Sequence, residues 1–452
     1  MGSILALNIV DGTVLAVLGV LSLVFISYLV IHRSRARQAD DAQPSERSQS
    51  RRWMLRLAIG FTGGLIAGLA VIFVTEVIVN SFGTPMEADT NIWAVAAFAA
   101  SGVAVVNLWG ARWWRTLIAS FAILLFFATS TIAINAGFGL NTTLASLLNI
   151  TISQPVALPP KVASATPSAA PAVVVPPPPL WQSWVPQVGM PTVGTFGTVS
   201  IPNPASGFVA RPAFLYLPPA ALVANPPALP ILIMMMGQPG GPESSALFVK
   251  DLDAQAAAHG GLGPIVLTVD QIGSPTQNPL CIDSVHGKVR TYVMTDVLDY
   301  VRKNLHVSTE RTDWAVGGYS NGGECALSFG ARFPGIFGSI LDISGEIGPS
   351  LGSPALTLKQ GFGGDTAFYD AEQPINILKM NTYPDTVAIF TSGTKDSYYS
   401  AEVTTAQDAA TAAGMVTHRF IGQGIGHRAD AISFGFPAGL PVLYQRWKLA
   451  AG

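Results

Sequence analysis

Four stretches near the start of the chain carry no charged side chain: Gly12–Ile31, Leu57–Thr75, Asn91–Gly110 and Thr116–Ile134. Each is close to the run of about 20 apolar residues that crosses a bilayer as a helix. Four such runs in succession leave a soluble core little room, and the composition agrees. Only 12% of the 452 residues are charged, against about 25% in ordinary soluble domains. The expectation is a segment of four transmembrane helices over residues 1–139.

Arginine placement predicts the orientation. Arg33, Arg35, Arg37, Arg47, Arg51, Arg52 and Arg56 lie between the first and second runs, and Arg112 and Arg115 between the third and fourth. The loop between the second and third holds Glu87 and Asp89 and no base. Basic loops face the cytoplasm, so both ends of the segment are expected outside. A cleaved signal peptide is not expected, because its positive charge should precede the apolar run and here comes after it. Trp113 and Trp114 read as interfacial anchors. Glu76, near the outer end of the second run, is expected to reach headgroup water.

Residues 140–180 read as a linker. Leu140–Ile152 is apolar but interrupted by Asn141 and Asn149, and Gln154–Pro179 is rich in Pro, Ala, Val and Ser. Such a stretch favours extended polyproline conformations, a stiff spacer that holds the C-terminal two-thirds of the chain off the bilayer.

From residue 181 to 452 short apolar runs alternate with helical patterns. The expected strands are Gly197–Ile201, Phe208–Leu217, Pro230–Met236, Pro264–Val269, Trp314–Gly318, Gly338–Ser344, Thr386–Thr391 and Thr417–Gly422. The expected helices are Glu243–His259, Thr291–Asn304, Asn321–Phe333, Ala401–Ala413 and Ala429–Leu449. Buried strands alternating with helices imply an α/β domain, a mostly parallel sheet covered on both faces. The first two strands have no helix between them, so that edge is expected to be antiparallel.

Gly318-Tyr319-Ser320-Asn321-Gly322 fits G-x-S-x-G between an expected strand and an expected helix. That context is what a nucleophile elbow needs, and it makes Ser320 the candidate nucleophile. A serine hydroxyl needs a base at neutral pH. His427, in the loop after the last expected strand, is the histidine that fits; His32, His259, His286, His306 and His418 do not. Asp396, after the strand Thr386–Thr391, is the candidate acid, with Asp342, Asp365 and Asp370 as rivals. The backbone N–H groups of Asn321 and Gln238 are the candidate oxyanion donors, Pro239 having none; the bland alternative for the second is a plain Gly/Pro turn. Cys281 and Cys325, the two cysteines of the chain, read either as a disulfide, which an extracytoplasmic domain permits, or as two free buried thiols. No H-E-x-x-H, Walker loop or post-strand G-x-G-x-x-G occurs, so no metal or cofactor is expected. The net charge of -2 gives no basic patch for nucleic acid.

At these residues a resemblance appears. Arg211-Pro212-Ala213, Leu215-Tyr216-Leu217-Pro218-Pro219, Gly237-Gln238-Pro239-Gly240, Asn278 to Ser284, Thr291-Tyr292, Asp296-Val297 and Trp314 to Gly323 resemble the esterase family of α/β hydrolases. That family includes esterase D-like enzymes, feruloyl esterase domains and secreted mycolyltransferases; the likeness is narrowest to membrane-anchored actinobacterial members. It covers about residues 190 to 449. It implies an α/β-hydrolase fold and a pairing of Cys281 with Cys325. Two positions depart from it. Met236 stands where many relatives have His before the oxyanion glycine. Asn321 stands where many have Met after the nucleophile, which is expected to make the pocket wall polar. Phe362-Gly363-Gly364-Asp365 is expected to lie in an insertion over the site.

The expected function is a membrane-anchored, extracytoplasmic serine esterase acting on an ester, with acyl-lipid or glycan substrates and membrane lipid as partners. The alternatives are an acyltransferase, mycolyltransferase-like, on cell-envelope glycans, and a non-catalytic envelope module.

Overall fold

The computed structural model describes residues 2–31, 46–78, 86–109, 113–148, 150, 154–159, 178–275 and 277–451. Arg33, Arg35, Arg37, Arg112 and most of the Pro-rich stretch lie outside them. The chain divides into two compact units, residues 1–150 and 151–452.

Among the described residues, the first unit holds four helices long and apolar enough to cross a membrane: Thr13–Ile31, Arg51–Ile78, Ala88–Val105 and Trp113–Phe138. The second and third pack through glycine. A Cβ on Gly60, Gly64 or Gly102 would run into the facing backbone of the other helix, the close approach that small residues permit between apolar helices. Arg115 is buried among polar atoms. It donates to Asn107 Oδ1 (2.9 Å) and to the Leu29 carbonyl (3.2 Å). Trp113, at the start of the fourth long helix, is 75% exposed. Glu76 accepts from Met86 N–H and Asn91 Nδ2 (2.9 and 3.0 Å), so this carboxylate is tied to the start of the third helix.

The second unit is built on an eight-stranded sheet. Its strands are β1 Thr195–Val199, β2 Ala213–Leu217, β3 Ile231–Met235, β4 Ile265–Val269, β7 Trp314–Tyr319, β8 Ser339–Ile343, β9 Val387–Gly393 and β10 Val416–Gly422. A separate two-stranded hairpin pairs β5 Asp283–Ser284 with β6 Gly287–Lys288. The order across the large sheet is β1-β2-β4-β3-β7-β8-β9-β10. β1 and β2 are antiparallel to their neighbours and the rest are parallel. This is the sheet of an α/β hydrolase. β3, β4, β7, β8 and β9 are buried along their whole length, which is why they read as continuous apolar runs rather than alternating ones.

Every expected strand and helix of this unit is present, with shifted ends. The stretch Phe208–Leu217 forms a strand only from Ala213. Before it Pro212 lacks an N–H, and the Arg211 N–H donates to Asp270 Oδ2 instead of a ladder (2.6 Å). The helix expected from Glu243 starts as a 3-10 turn, Pro242–Phe248, before Val249–Ala258. Among the described residues, three helices of more than four residues were not expected: Pro354–Gly361, Thr366–Ala371 and Pro374–Met380. The expected linker is also shorter than residues 140–180. Leu144–Leu147 is helical in the first unit, and Gln154–Val156 pairs with Thr198 of β1: Val156 N donates to the Thr198 carbonyl (3.1 Å) and Thr198 N to that of Gln154 (2.7 Å). Edge-strand hydrogen bonding, which composition does not signal, captures that piece of the spacer.

Candidate active site

In a parallel sheet the loops at the carboxyl ends of the strands form the crevice where ligands bind. Ser320 sits there, between β7 and the helix Asn321–Arg332, with φ 55° and ψ -122°. A non-glycine residue in this region stores strain and does so at functional sites. The glycines two residues to either side are required by close approach. A Cβ on Gly318 would strike the Gly322 carbonyl, and one on Gly322 the Met235 carbonyl of β3. The turn is therefore sharp enough to lift the serine out of the strand, and Ser320 N–H is held by the Ile343 carbonyl (2.9 Å).

The structure brings Ser320, His427 and Asp396 together. Ser320 Oγ lies 2.9 Å from His427 Nε2, and His427 Nδ1 lies 2.8 Å from Asp396 Oδ2. An ionised carboxylate can only accept, so Nδ1 donates and the neutral ring's Nε2 is left to accept the serine proton. Asp396 Oδ1 accepts from Tyr399 N (3.2 Å), capping the helix Ser397–Ala412. The loops carrying acid and base are bound to each other. Thr394 N donates to the Gly422 carbonyl and Lys395 N to that of Ile425 (both 2.9 Å). Ser320 and Asp396 are 7% and 6% exposed.

The rival acids are not hydrogen-bonded to His427, whose Nδ1 is bound to Asp396. Asp342 is buried on β8 and accepts from Gly345 N (2.8 Å); Asp365 caps the helix Thr366–Ala371; the Asp370 carbonyl accepts from Asn376 (3.0 Å). His259 bonds the carbonyl of Gln255 (2.8 Å) and His286 that of Gln360 (3.0 Å). His32 lies outside the described residues. The residues around Phe362 pack rather than hang free: Phe362 joins Leu280 and Ile282 in a small apolar cluster.

The loop after β3 passes directly against the nucleophile. A Cβ on Gly237 would lie 3.1 Å from Ser320 Cβ. Gln238 comes next, its side chain donating to the Gln277 carbonyl (3.1 Å). Asn321 opens its helix, so its N–H is one of the donors a helix start leaves without an intrahelical partner. Its side chain does not form an open polar wall, as the sequence led us to expect. Asn321 is 2% exposed, and its Oδ1 accepts from Gln271 Nε2 (3.0 Å).

Two features were not read from sequence. The first is an aromatic bracket on the base: Tyr399 stacks on His427 with ring centroids 3.6 Å apart and planes at 12°, and Tyr319 lies 5.2 Å away. Its signal is visible in hindsight, since Tyr319 and Tyr399 are adjacent to Ser320 and near Asp396. The second is a group of buried acids beneath the elbow. Burial raises the Glu324 carboxyl to about 8 and that of Asp342 to about 7. Glu346 and Glu402 are raised as well, each mainly by burial. Cys281 and Cys325 form a disulfide with Cα atoms 5.2 Å apart, joining the loop after β4 to the helix that begins after Ser320.

Residues 255–429 match the Esterase family, described as "Putative esterase". Those residues hold Ser320, Asp396, His427 and both cysteines, and they leave out the loop of Gln238. An uncharacterized protein of Corynebacterium glutamicum is 36% identical over 221 residues, 47% of this chain and 52% of that protein. The chain thus spans about half the length of this curated relative. Among solved structures, a ferulic acid esterase is 18% identical with a TM-score of 0.48, covering 56% of this chain and 98% of its own. An S-formylglutathione hydrolase from Agrobacterium tumefaciens is 15% identical with a TM-score of 0.48, covering 57% and 97%.

Proposed function

We propose that the chain is a membrane-anchored serine esterase whose hydrolase unit lies outside the cytoplasm. The observation that carries the reading is the continuous hydrogen-bonded line from Ser320 Oγ through His427 to Asp396, at 2.9 and 2.8 Å, on a strained elbow. In this reading Ser320 Oγ attacks the ester carbonyl carbon while His427 Nε2 takes its proton. Asp396 holds the imidazole in the right tautomer and stabilises the imidazolium that forms. The negative oxygen of the tetrahedral intermediate is met by the N–H groups of Asn321 and Gln238. Collapse expels the alcohol, which takes the proton from His427, and leaves the acyl group on Ser320. Water, activated by the same histidine, releases the acid. Acyl transfer shares every step but the last, where another hydroxyl replaces water.

The orientation rests on charge. Arg115 Nη2 donates to Leu29 O, which supports a common side for the end of the first long helix and the start of the fourth. The basic stretches after Ile31 and before Trp113 are then both cytoplasmic, and the segment leading into the hydrolase is outside.

A membrane-impermeant fluorophosphonate applied to intact cells making the full chain tests both parts. Labelling of intact cells, lost in Ser320→Ala and His427→Ala at equal abundance, is the expected result. Labelling only after lysis would reverse the orientation. A wild-type protein that stays unlabelled in both states, though folded and abundant, would end the esterase reading.

A further inference from the structure

The oxyanion donors named above are backbone groups on two different elements, the loop after β3 and the first residue after the elbow. Their separation has to be fixed before reaction, because preorganised donors stabilise developing charge without reorganising. One side chain bridges the two elements. Gln271, two residues beyond β4, is 3% exposed. Its Nε2 donates to the Met236 carbonyl and to Asn321 Oδ1. A primary amide nitrogen has two hydrogens, and both are used here.

We propose that Gln271 is a positioning residue of the oxyanion hole. It ties the start of the Gln238 loop to the residue after the nucleophile and so sets the distance between the two donors. This rests on the esterase reading and goes beyond it, because the hydrogen bonds of Gln271 Nε2 go to Met236 and Asn321, outside the triad. The adjacent residue acts on the other end of the same loop. Asp270 accepts from Arg211 Nε and Nη2 (3.1 and 2.8 Å), and Arg211 Nη2 donates in turn to the Gly240 carbonyl (2.8 Å). The loop is thus held at Met236 by Gln271 and at Gly240 through Arg211, with Gln238 between. Asn321 gains a reason from the same geometry: an amide at this position supplies the acceptor that an apolar side chain would lack.

The test uses the full chain in detergent with an aryl acetate substrate. Serine is titrated by fluorophosphonate, so that kcat refers to each titratable Ser320. Gln271→Met keeps length and removes both donors. The expected result is a loss in kcat of about 10- to 100-fold, below the effect of deleting a donor outright. KM should stay within about threefold of wild type and the pH midpoint of kcat/KM should be unchanged, since His427 is untouched. A merely structural role would lower the number of titratable sites and leave kcat per site alone; that outcome overturns the proposal. If Gln271→Met does not fold, Gln271→Asn, shorter by one methylene, should give an intermediate loss, and wild-type turnover per site in that variant overturns it equally. A wild type that does not label at all defeats the esterase reading itself, a result distinct from a labelled wild type with an indifferent Gln271.

Discussion

The ring of Tyr399 lies flat on the imidazole of His427, centroids 3.6 Å apart and planes 12° from parallel. Tyr399 also gives its backbone N–H to Asp396 Oδ1, so one residue touches both partners of the serine. The backbone bond survives any side-chain change; the stack does not. Aromatic pairs of this kind contribute about 0.5–1.5 kcal/mol beyond area burial. Tyr399→Ala should therefore lower kcat/KM for an activated ester by about 3- to 10-fold, and Tyr399→Phe should keep nearly all of it. Steady-state kinetics on the two variants decide the matter, and equal losses in both would show that the hydroxyl, not the ring face, is what matters.

Ser320, His427 and Asp396 act as a unit in the proposed mechanism, so their removals should not add. Ser320→Ala and His427→Ala should each reduce kcat by about 10⁴- to 10⁶-fold, with the double variant close to either single one. Asp396→Asn should cost about 10⁴-fold by stabilising the wrong tautomer while leaving the Tyr399 N–H capped. Additive losses in the double variant would argue that Ser320 and His427 serve separate steps.

Cys281 and Cys325 are separated by 44 residues and are 2% and 0% exposed. In the chain-entropy model, closing such a loop stabilises by about 4 kcal/mol. The double variant Cys281→Ala with Cys325→Ala should unfold about 10 °C lower, taking about 2–4 °C per kcal/mol for a domain of this size. Thermal unfolding of the full chain, read through tryptophan fluorescence with and without reductant, measures this. Reductant should move the wild type toward the variant and leave the variant where it is.

Legibility in the sequence divides along physical lines. Ser320 was legible because a sharp strand-to-helix turn demands small residues at fixed spacing, and Gly318 and Gly322 stand there. His427 and Asp396 were legible because the chain order of such sites places them at the ends of the last strands. The Gln271 tie was not legible: it depends on which loops become neighbours across β4, β3 and β7, and local pattern does not encode that. The helices Pro354–Gly361, Thr366–Ala371 and Pro374–Met380 are too short to show a period, yet each carries a start signal. Ser353 and Asp365 cap the first two, and Pro354 and Pro374 stand in the first turn, where proline is favoured. The capture of Gln154–Val156 by β1 was hidden by composition, because a proline-rich stretch can still offer one strand edge its carbonyls and N–H groups.

The buried acids predict how stability varies with pH. Glu324 and Asp342 are fully buried. Among the described residues Glu324 receives only the Ser328 hydroxyl (2.6 Å) at one oxygen and Asp342 only Gly345 N–H (2.8 Å); the second oxygen of each finds no partner among them. Burial holds them protonated up to about 8 and about 7, against ordinary values of 4.5 and 3.8. Below those ordinary values both states are protonated and the pair contributes nothing to the pH dependence. Above them the unfolded chain releases its protons first, so ∂ΔG/∂pH is negative, and stability falls until the folded groups ionise near pH 7 to 8. The slope is at most about 1.4 kcal/mol per pH unit for each group. The full chain should therefore melt at a lower temperature at pH 8 than at pH 5 by an amount that Glu324→Gln reduces. The glutamine keeps an acceptor for Ser328 and cannot ionise, so the gap between variant and wild type should close toward pH 5 and move in the variant's favour toward pH 8. Melting curves of the two proteins at half-unit intervals supply the comparison, and parallel curves across that range would mean that Glu324 is ionised, and compensated, in the folded state.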